Sequence, residues 1–187
     1  FFNSLLNDPF SYNALDFSSP TINSDKVVAL HVNHNELFVC NENTILLYQN
    51  IGRDPEPFQL IGGANIQKGV RAKFSLIEFD NTFCFVGGGL NEGSAVWKVT
   101  GSSSAQKIST NTIDNEIQKF TKEEIEASFA MTYASQGQFL ALFTFESQRI
   151  PSRTFVYNAT ASALLQQSIW FELQTGVDDN RFRVQSI

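Results

Sequence analysis

This sequence predicts an all-β fold: a β-propeller of about three four-stranded blades, with partial blades at both ends and a short helical insertion near 111–126. Three observations carry that expectation. The chain has 18 Phe against one Met, with 11 Gly and 5 Pro, an aromatic-rich and turn-punctuated composition that favours strands. A rhythm of strand, tight turn, strand, turn, strand recurs along it. The strands are apolar on both parities, as in Phe83-Cys84-Phe85-Val86 and Ile45-Leu46-Leu47-Tyr48, so both of their faces are covered and neither is wet. A two-sheet sandwich is the competing architecture.

The elements follow in chain order. Residues 1–26 read as the end of a preceding blade, with Phe1-Phe2 in one strand and Ala14-Leu15-Asp16-Phe17 in another. The first full repeat, 27–63, runs Val27 to Val32, turns at Asn33-His34-Asn35, continues Leu37 to Cys40, turns at Glu42-Asn43, and resumes at Ile45 to Tyr48. Phe58 to Ile61 is its looser fourth strand. The second repeat, 74–110, runs Phe74 to Phe79, turns at Asp80-Asn81, continues Phe83 to Val86, turns at Gly87-Gly88-Gly89 and resumes at Ser94 to Val99. The third repeat, 128–174, opens at Phe129 to Tyr133, turns at Ser135-Gln136-Gly137, and continues with Phe139 to Phe145, Arg153 to Tyr157 and Ile169 to Leu173. Residues 175–187, with Arg181-Phe182-Arg183-Val184, read as the start of a following blade, the whole forming one propeller domain of a longer chain.

Between the second and third repeats, Ile113, Ile117 and Phe120 fall at i, i+4 and i+7, one face of a helix with capping candidates at Thr110 and Asn111. Thr121-Lys122-Glu123-Glu124 has capping-box spacing and starts a second short turn. Open sheet edges at both ends imply flanking sequence or a partner. The opening Phe1-Phe2-Asn3-Ser4 has neither an initiator Met nor a basic stretch, which is the pattern expected of an excerpt or a processed chain and not of a secretory signal.

Charge and composition exclude several functions. With 13 Lys plus Arg against 19 Asp plus Glu, the net charge is −6 and no basic cluster exists, so direct, sequence-specific gripping of nucleic acid is not expected. No run of 18 apolar residues is present, so no membrane-spanning helix is expected. Two cysteines exclude a disulfide scaffold and a four-cysteine zinc site. Cys40 and Cys84 fall in second strands and read as buried thiols.

His31 and His34, the only histidines, lack further ligands at hairpin distance and read as a half-buried strand histidine and an exposed turn histidine. No Gly-x-Ser-x-Gly elbow is present. The carboxylates Glu78, Asp80 and Glu92 stand in or near turns, where acidic residues serve as turn formers. The glycine triplet leads into a strand and not a helix, so it makes a hairpin and not a phosphate cradle. Asn158-Ala159-Thr160 matches a glycosylation acceptor by chance. No catalytic, cofactor-binding or metal-ligating residue is therefore assigned, and the expectation is a non-enzyme without cofactors.

Several stretches, taken in register, carry a resemblance. Ala14-Leu15-Asp16-Phe17 precedes Ile22 and Asp25. Val28-Ala29-Leu30 is followed by Glu36-Leu37, Pro57-Phe58 and Leu60-Ile61-Gly62-Gly63-Ala64. Ile108-Ser109-Thr110 is followed by Ile113, Glu116 and Ile117. Thr132-Tyr133, Gly137, Leu142-Phe143-Thr144-Phe145, Thr154-Phe155-Val156-Tyr157-Asn158 and Trp170-Phe171-Glu172 complete the series. Together they resemble the packaged-DNA stabilisation proteins of P22-like short-tailed phages, also called tail accessory or head-closure proteins. Ser24 stands where the family has Pro, and Asn111 where it has His, as in a divergent member.

The resemblance implies a β-propeller virion protein of the phage tail, present in the host cytoplasm during assembly. It implies a homo-oligomeric ring that closes the portal channel after DNA packaging. The implied partners are the portal and adaptor ring proteins, the tail needle and the tailspike, with no membrane. Assembly contacts are expected on the longest breaks in the blade rhythm: 110–126, 52–57 and 146–153. The residues singled out there are Asn111, Asp114, Glu116, Lys119, Arg53, Asp54 and Arg149. The alternatives are a glycan-binding or glycan-cleaving propeller and a generic interaction scaffold.

Overall fold

The computed structural model describes residues 2–5, 7–17, 25–53, 56–101, 103–176 and 180–183. Strands dominate it. β1 (Phe2–Leu5) and β2 (Asp8–Phe17) pair as an N-terminal hairpin. β3 (Val27–Asn33), β4 (Glu36–Asn41), β5 (Ile45–Asn50) and β6 (Phe58–Ile66) form an antiparallel meander in chain order. The second sheet comprises β7 (Gly69–Val70), β8 (Ile77–Phe79), β9 (Thr82–Gly88), β10 (Ala95–Thr100) and β11 (Ser104–Lys107). Helices α1 (Asn111–Ile117) and α2 (Lys122–Glu126) follow. The third sheet is β12 (Phe129–Ser135), β13 (Gln138–Phe145), β14 (Arg153–Asn158), β15 (Trp170–Thr175) and β16 (Asn180–Arg181), with α3 (Ala159–Leu165) between β14 and β15.

The β3–β4, β8–β9 and β12–β13 hairpins share one device. The turn residues His34 and Asn35, Asp80 and Asn81, and Gln136 and Gly137 all have positive φ, between 48° and 77°. Two consecutive left-handed residues make the tight turn whose twist matches the flanking strands. At the next turn of the first sheet, the Asp25 carboxylate accepts from Asn43 N at 2.8 Å, Asn43 Nδ2 at 3.1 Å and Thr44 Oγ1 at 3.2 Å.

The double-sided apolar pattern has a direct cause: the second sheet lies between the other two. In β9, Phe83 and Phe85 pack with Phe38, Cys40, Ile45 and Leu47 of the first sheet. Their neighbours Cys84 and Val86 point the other way, into a cluster with Phe143, Phe145 and Phe155 of the third. Alternation along the strand therefore feeds two cores. Each fully buried Phe contributes about 1.5–3 kcal/mol of transfer free energy. The rings also meet edge-on or stacked: Phe38 against Phe83 at 4.9 Å and 79°, Phe79 against Phe139 at 4.5 Å and 9°. These separations add a quadrupole term to the area burial.

Several expectations need correcting. The strand expected over Phe74 to Phe79 is split: β7 and β8 both pair with β9, and residues 71–76 loop out between them. Ser75 stands in for the missing ladder there, its Oγ accepting from Val86 N at 2.8 Å and donating to Ala72 O at 2.7 Å. Phe74, within that loop, instead forms a parallel bridge with Phe129 at the start of β12, which ties the second sheet to the third.

Gly87 and Gly88 are strand residues, not turn residues. A Cβ on Gly87 would lie 1.8 Å from Gly69 O and one on Gly88 2.7 Å from Gly93 O, so glycine is needed here for close backbone approach. The Gly62-Gly63 pair likewise lies within β6, where the pairing with β5 shifts register, as at a bulge. α3 was not anticipated. Asn158 is its N-cap, accepting from Ala161 N at 2.9 Å, which gives a structural role to the residue of the glycosylation-like triplet. Where described, the C-terminal stretch folds back, because β16 pairs with β15 as an edge of the third sheet.

Candidate functional site

The insertion forms as its sequence predicts and then packs inward. Thr110 caps α1, and Thr121 and Glu124 form a reciprocal capping box on α2, which satisfies the orphan amides of these short helices. Ile113, Ile117, Phe120 and Ile125 enter the core between the second and third sheets, with Phe120 lying 5.3 Å from Phe145.

The polar groups of the insertion reach all three sheets. At its root, Ser109 Oγ accepts from Val96 N at 3.0 Å and donates to Asp114 Oδ1 at 2.5 Å. Lys107 Nζ donates to Asp114 Oδ2 at 2.8 Å. Trp170 Nε1 of the third sheet donates to Ile108 O at 2.8 Å. At its far end, Lys122 Nζ meets Glu42 Oε1 of the β4–β5 turn at 2.7 Å. Glu124 accepts from Ser147 Oγ at 2.5 Å, and Arg149 Nη2 donates to Lys119 O at 2.6 Å and to Glu124 Oε2 at 3.4 Å. Ser147 Oγ in turn accepts from Arg149 N and Ile150 N, closing a turn in the 146–152 loop.

The singled-out residues thus divide. Asn111, Lys119, Arg53 and Arg149 are exposed. Lys119 and Arg149 nonetheless contact the insertion and loop internally. Glu116 is half-buried, 2.6 Å from Lys119 Nζ and 3.9 Å from Arg153 Nε. Asp114 is only 8% exposed and both its oxygens are engaged, so it braces the insertion from within. Asp54 lies outside the described residues. The structure brings Glu116, Lys119 and Arg149 around the insertion. Arg53 belongs to the separate loop between β5 and β6.

Sequence reasoning missed Lys122, Glu42 and Ser147. The capping box made Glu124 visible, but its bond to Ser147 spans 23 residues and left no local signal.

The carboxyls answer to their partners. The Lys122 hydrogen bond holds Glu42 below its ordinary value, Lys68 does the same for Glu92, and Ser147 for Glu124. Burial pushes the thiols of Cys40 and Cys84 up to about 12, which leaves them protonated and unreactive. His31 is half-buried against Phe83 with ring centroids 4.5 Å apart, and burial lowers its pKa against a weaker opposing pull from Glu78.

A glycan-cleaving propeller would need convergent carboxylates, and Glu78, Asp80 and Glu92 do not all meet at one place. Glu78 and Asp80 line a depression of about 490 Å³ with His34 and Phe139, and Asp80 is paired with Lys98. Glu92 lines a different one, beside Trp97 and Lys68. Glu92 therefore stands apart from the Glu78 and Asp80 pair.

What the arrangement does offer is a stack of sheets braced by a helical insertion. A family model described as bacteriophage P22 Gp10, beta-propeller, of the phage stabilisation family, matches residues 1–187. The chain belongs to that family. It is accordingly a phage structural protein, mostly β, of a family classed as a β-propeller. No curated protein matches the chain. No described helix is long and apolar enough to cross a membrane.

Proposed function

We propose that this stabilisation protein closes the portal channel of a phage head after DNA packaging, as a wall element in a homo-oligomeric ring. Portal, adaptor ring, needle and tailspike are its partners. The family match over the whole chain is the observation that carries this reading. The stacked sheets support it physically. In this proposal Val27–Ile66, Gly69–Lys107 and Phe129–Thr175 are three successive blades, and their shared Phe-rich cores make a stiff block. The net charge of −6 keeps a wall beside duplex DNA from adhering to it, so retention of the genome is steric.

Assembly contacts in this proposal come from the exposed groups beside the brace, Asn111, Lys119 and Arg149, and from Arg53 on its separate loop. Glu116 and Asp114 set the insertion's shape. The test is co-sedimentation of the protein with DNA-filled heads. Lys119→Glu and Arg53→Glu should abolish binding while the melting temperature stays within a degree or two. Undiminished binding by both would remove these residues from the interface.

A further inference from the structure

We infer that α2 is a releasable strap, hinged on a fixed α1, whose opening widens the groove between the brace and the first two sheets. The two ends of the insertion are held by different physics. α1 is rooted by buried apolar side chains, Ile117 fully and Ile113 nearly so, and by the buried Ser109–Asp114 hydrogen bond. α2 contributes one buried apolar residue, Ile125. Its other ties are Lys122 to Glu42 and Glu124 to Ser147 and Arg149. The Lys122 side chain is 62% exposed and that of Arg149 53%, so these ion pairs are wet and screened by salt.

α2 also forms one wall of a groove of about 330 Å³. Phe120, Lys122, Ile125 and Glu126 stand on one side, with Glu42 and Arg71 on the other. Releasing Lys122 from Glu42 and Glu124 from Ser147 and Arg149 leaves Ile125 as the buried apolar anchor of that wall, against two such anchors on α1. Segments with few buried apolar contacts open locally at a small fraction of the global cost. The strap is therefore the part of the brace able to open.

Hydrogen exchange on the intact protein tests this. The Ile125, Ala127 and Ser128 amides, bonded within α2, should exchange well before those of Gln118 and Phe120 at the end of α1. Raising salt from 0.1 to 1 M should speed only the α2 group. Lys122→Glu should accelerate it about fivefold, and adding Glu42→Lys should restore the slow rate. The double variant guards against a fold defect, since a misfolded single variant would not be rescued. Equal exchange of both groups, indifference to salt or failure of rescue would overturn the strap.

Discussion

Gly87 shows how much one residue can decide in this protein. Its missing Cβ lets Gly69 O approach to where a methyl would sit 1.8 Å away, and the obstruction is the Gly69 backbone, with the Phe85 ring 3.2 Å from the same point. Gly87→Ala should cost about 3 kcal/mol or more, among the large class of single-site effects. Gly62→Ala, in open space without positive φ, should stay within about 0.5 kcal/mol. Paired thermal melts check both. His31 offers a second residue-level test. Burial disfavours its charged form, so the unfolded chain takes up the proton first, and stability declines as pH falls below the ordinary value of 6.5. Glu42, Glu92 and Glu124 act at lower pH. Their folded values lie below 4.5, so the stability they supply is present above 4.5 and lost as pH falls through the depressed values. The melting temperature should therefore fall in two limbs. His31→Phe should remove the upper limb, which begins as pH falls below 6.5, and leave the lower one. Retention of both limbs would refute the assignment.

At the scale of the element, β9 explains what could and could not be read in advance. Its unbroken apolar run announced cover on both faces, and the tight turns around it announced the meander, because turn chemistry and side-chain parity are local signals. The capped, periodic insertion was legible for the same reason. The split into β7 and β8 was not, since Ser75 replaces a ladder partner through a contact 11 residues away. The glycine triplet was misread because turns and close strand approach ask for the same residue. α3 was passed over because its cap, Asn158, resembled another motif. At the candidate surface, exposed loops were visible as breaks in rhythm, whereas the burial of Asp114 and the bonds of Arg149 to Lys119 O and Glu124 depended on tertiary partners. Because β9 feeds two cores, Phe83→Ala should cost about 3–5 kcal/mol by opening the interface with the first sheet. Leu30→Ala, at a side chain half exposed on β3, should cost far less. Denaturant titration of the two variants distinguishes them, and comparable losses would contradict the two-core account.

For the whole molecule, the two cysteines report on different interfaces. Cys40 lies between the first and second sheets, Cys84 between the second and third, and both thiols are buried and held near pKa 12. If the stack unfolds as one unit, both should react with a thiol reagent at a single rate equal to global unfolding. Two distinct rates would mean that the interfaces open separately. The proposed closure calls for a stack that opens only as a unit. The central claim concerns that closure, and genome leakage measures it most directly. DNA-filled heads assembled without the protein would be incubated with the full-length chain, and an intercalating dye would follow escaping DNA. The proposed role predicts that leakage stops and that the protein stays with the heads. Continued leakage with no protein bound would mean that the family's fold is present here without a head-closing function.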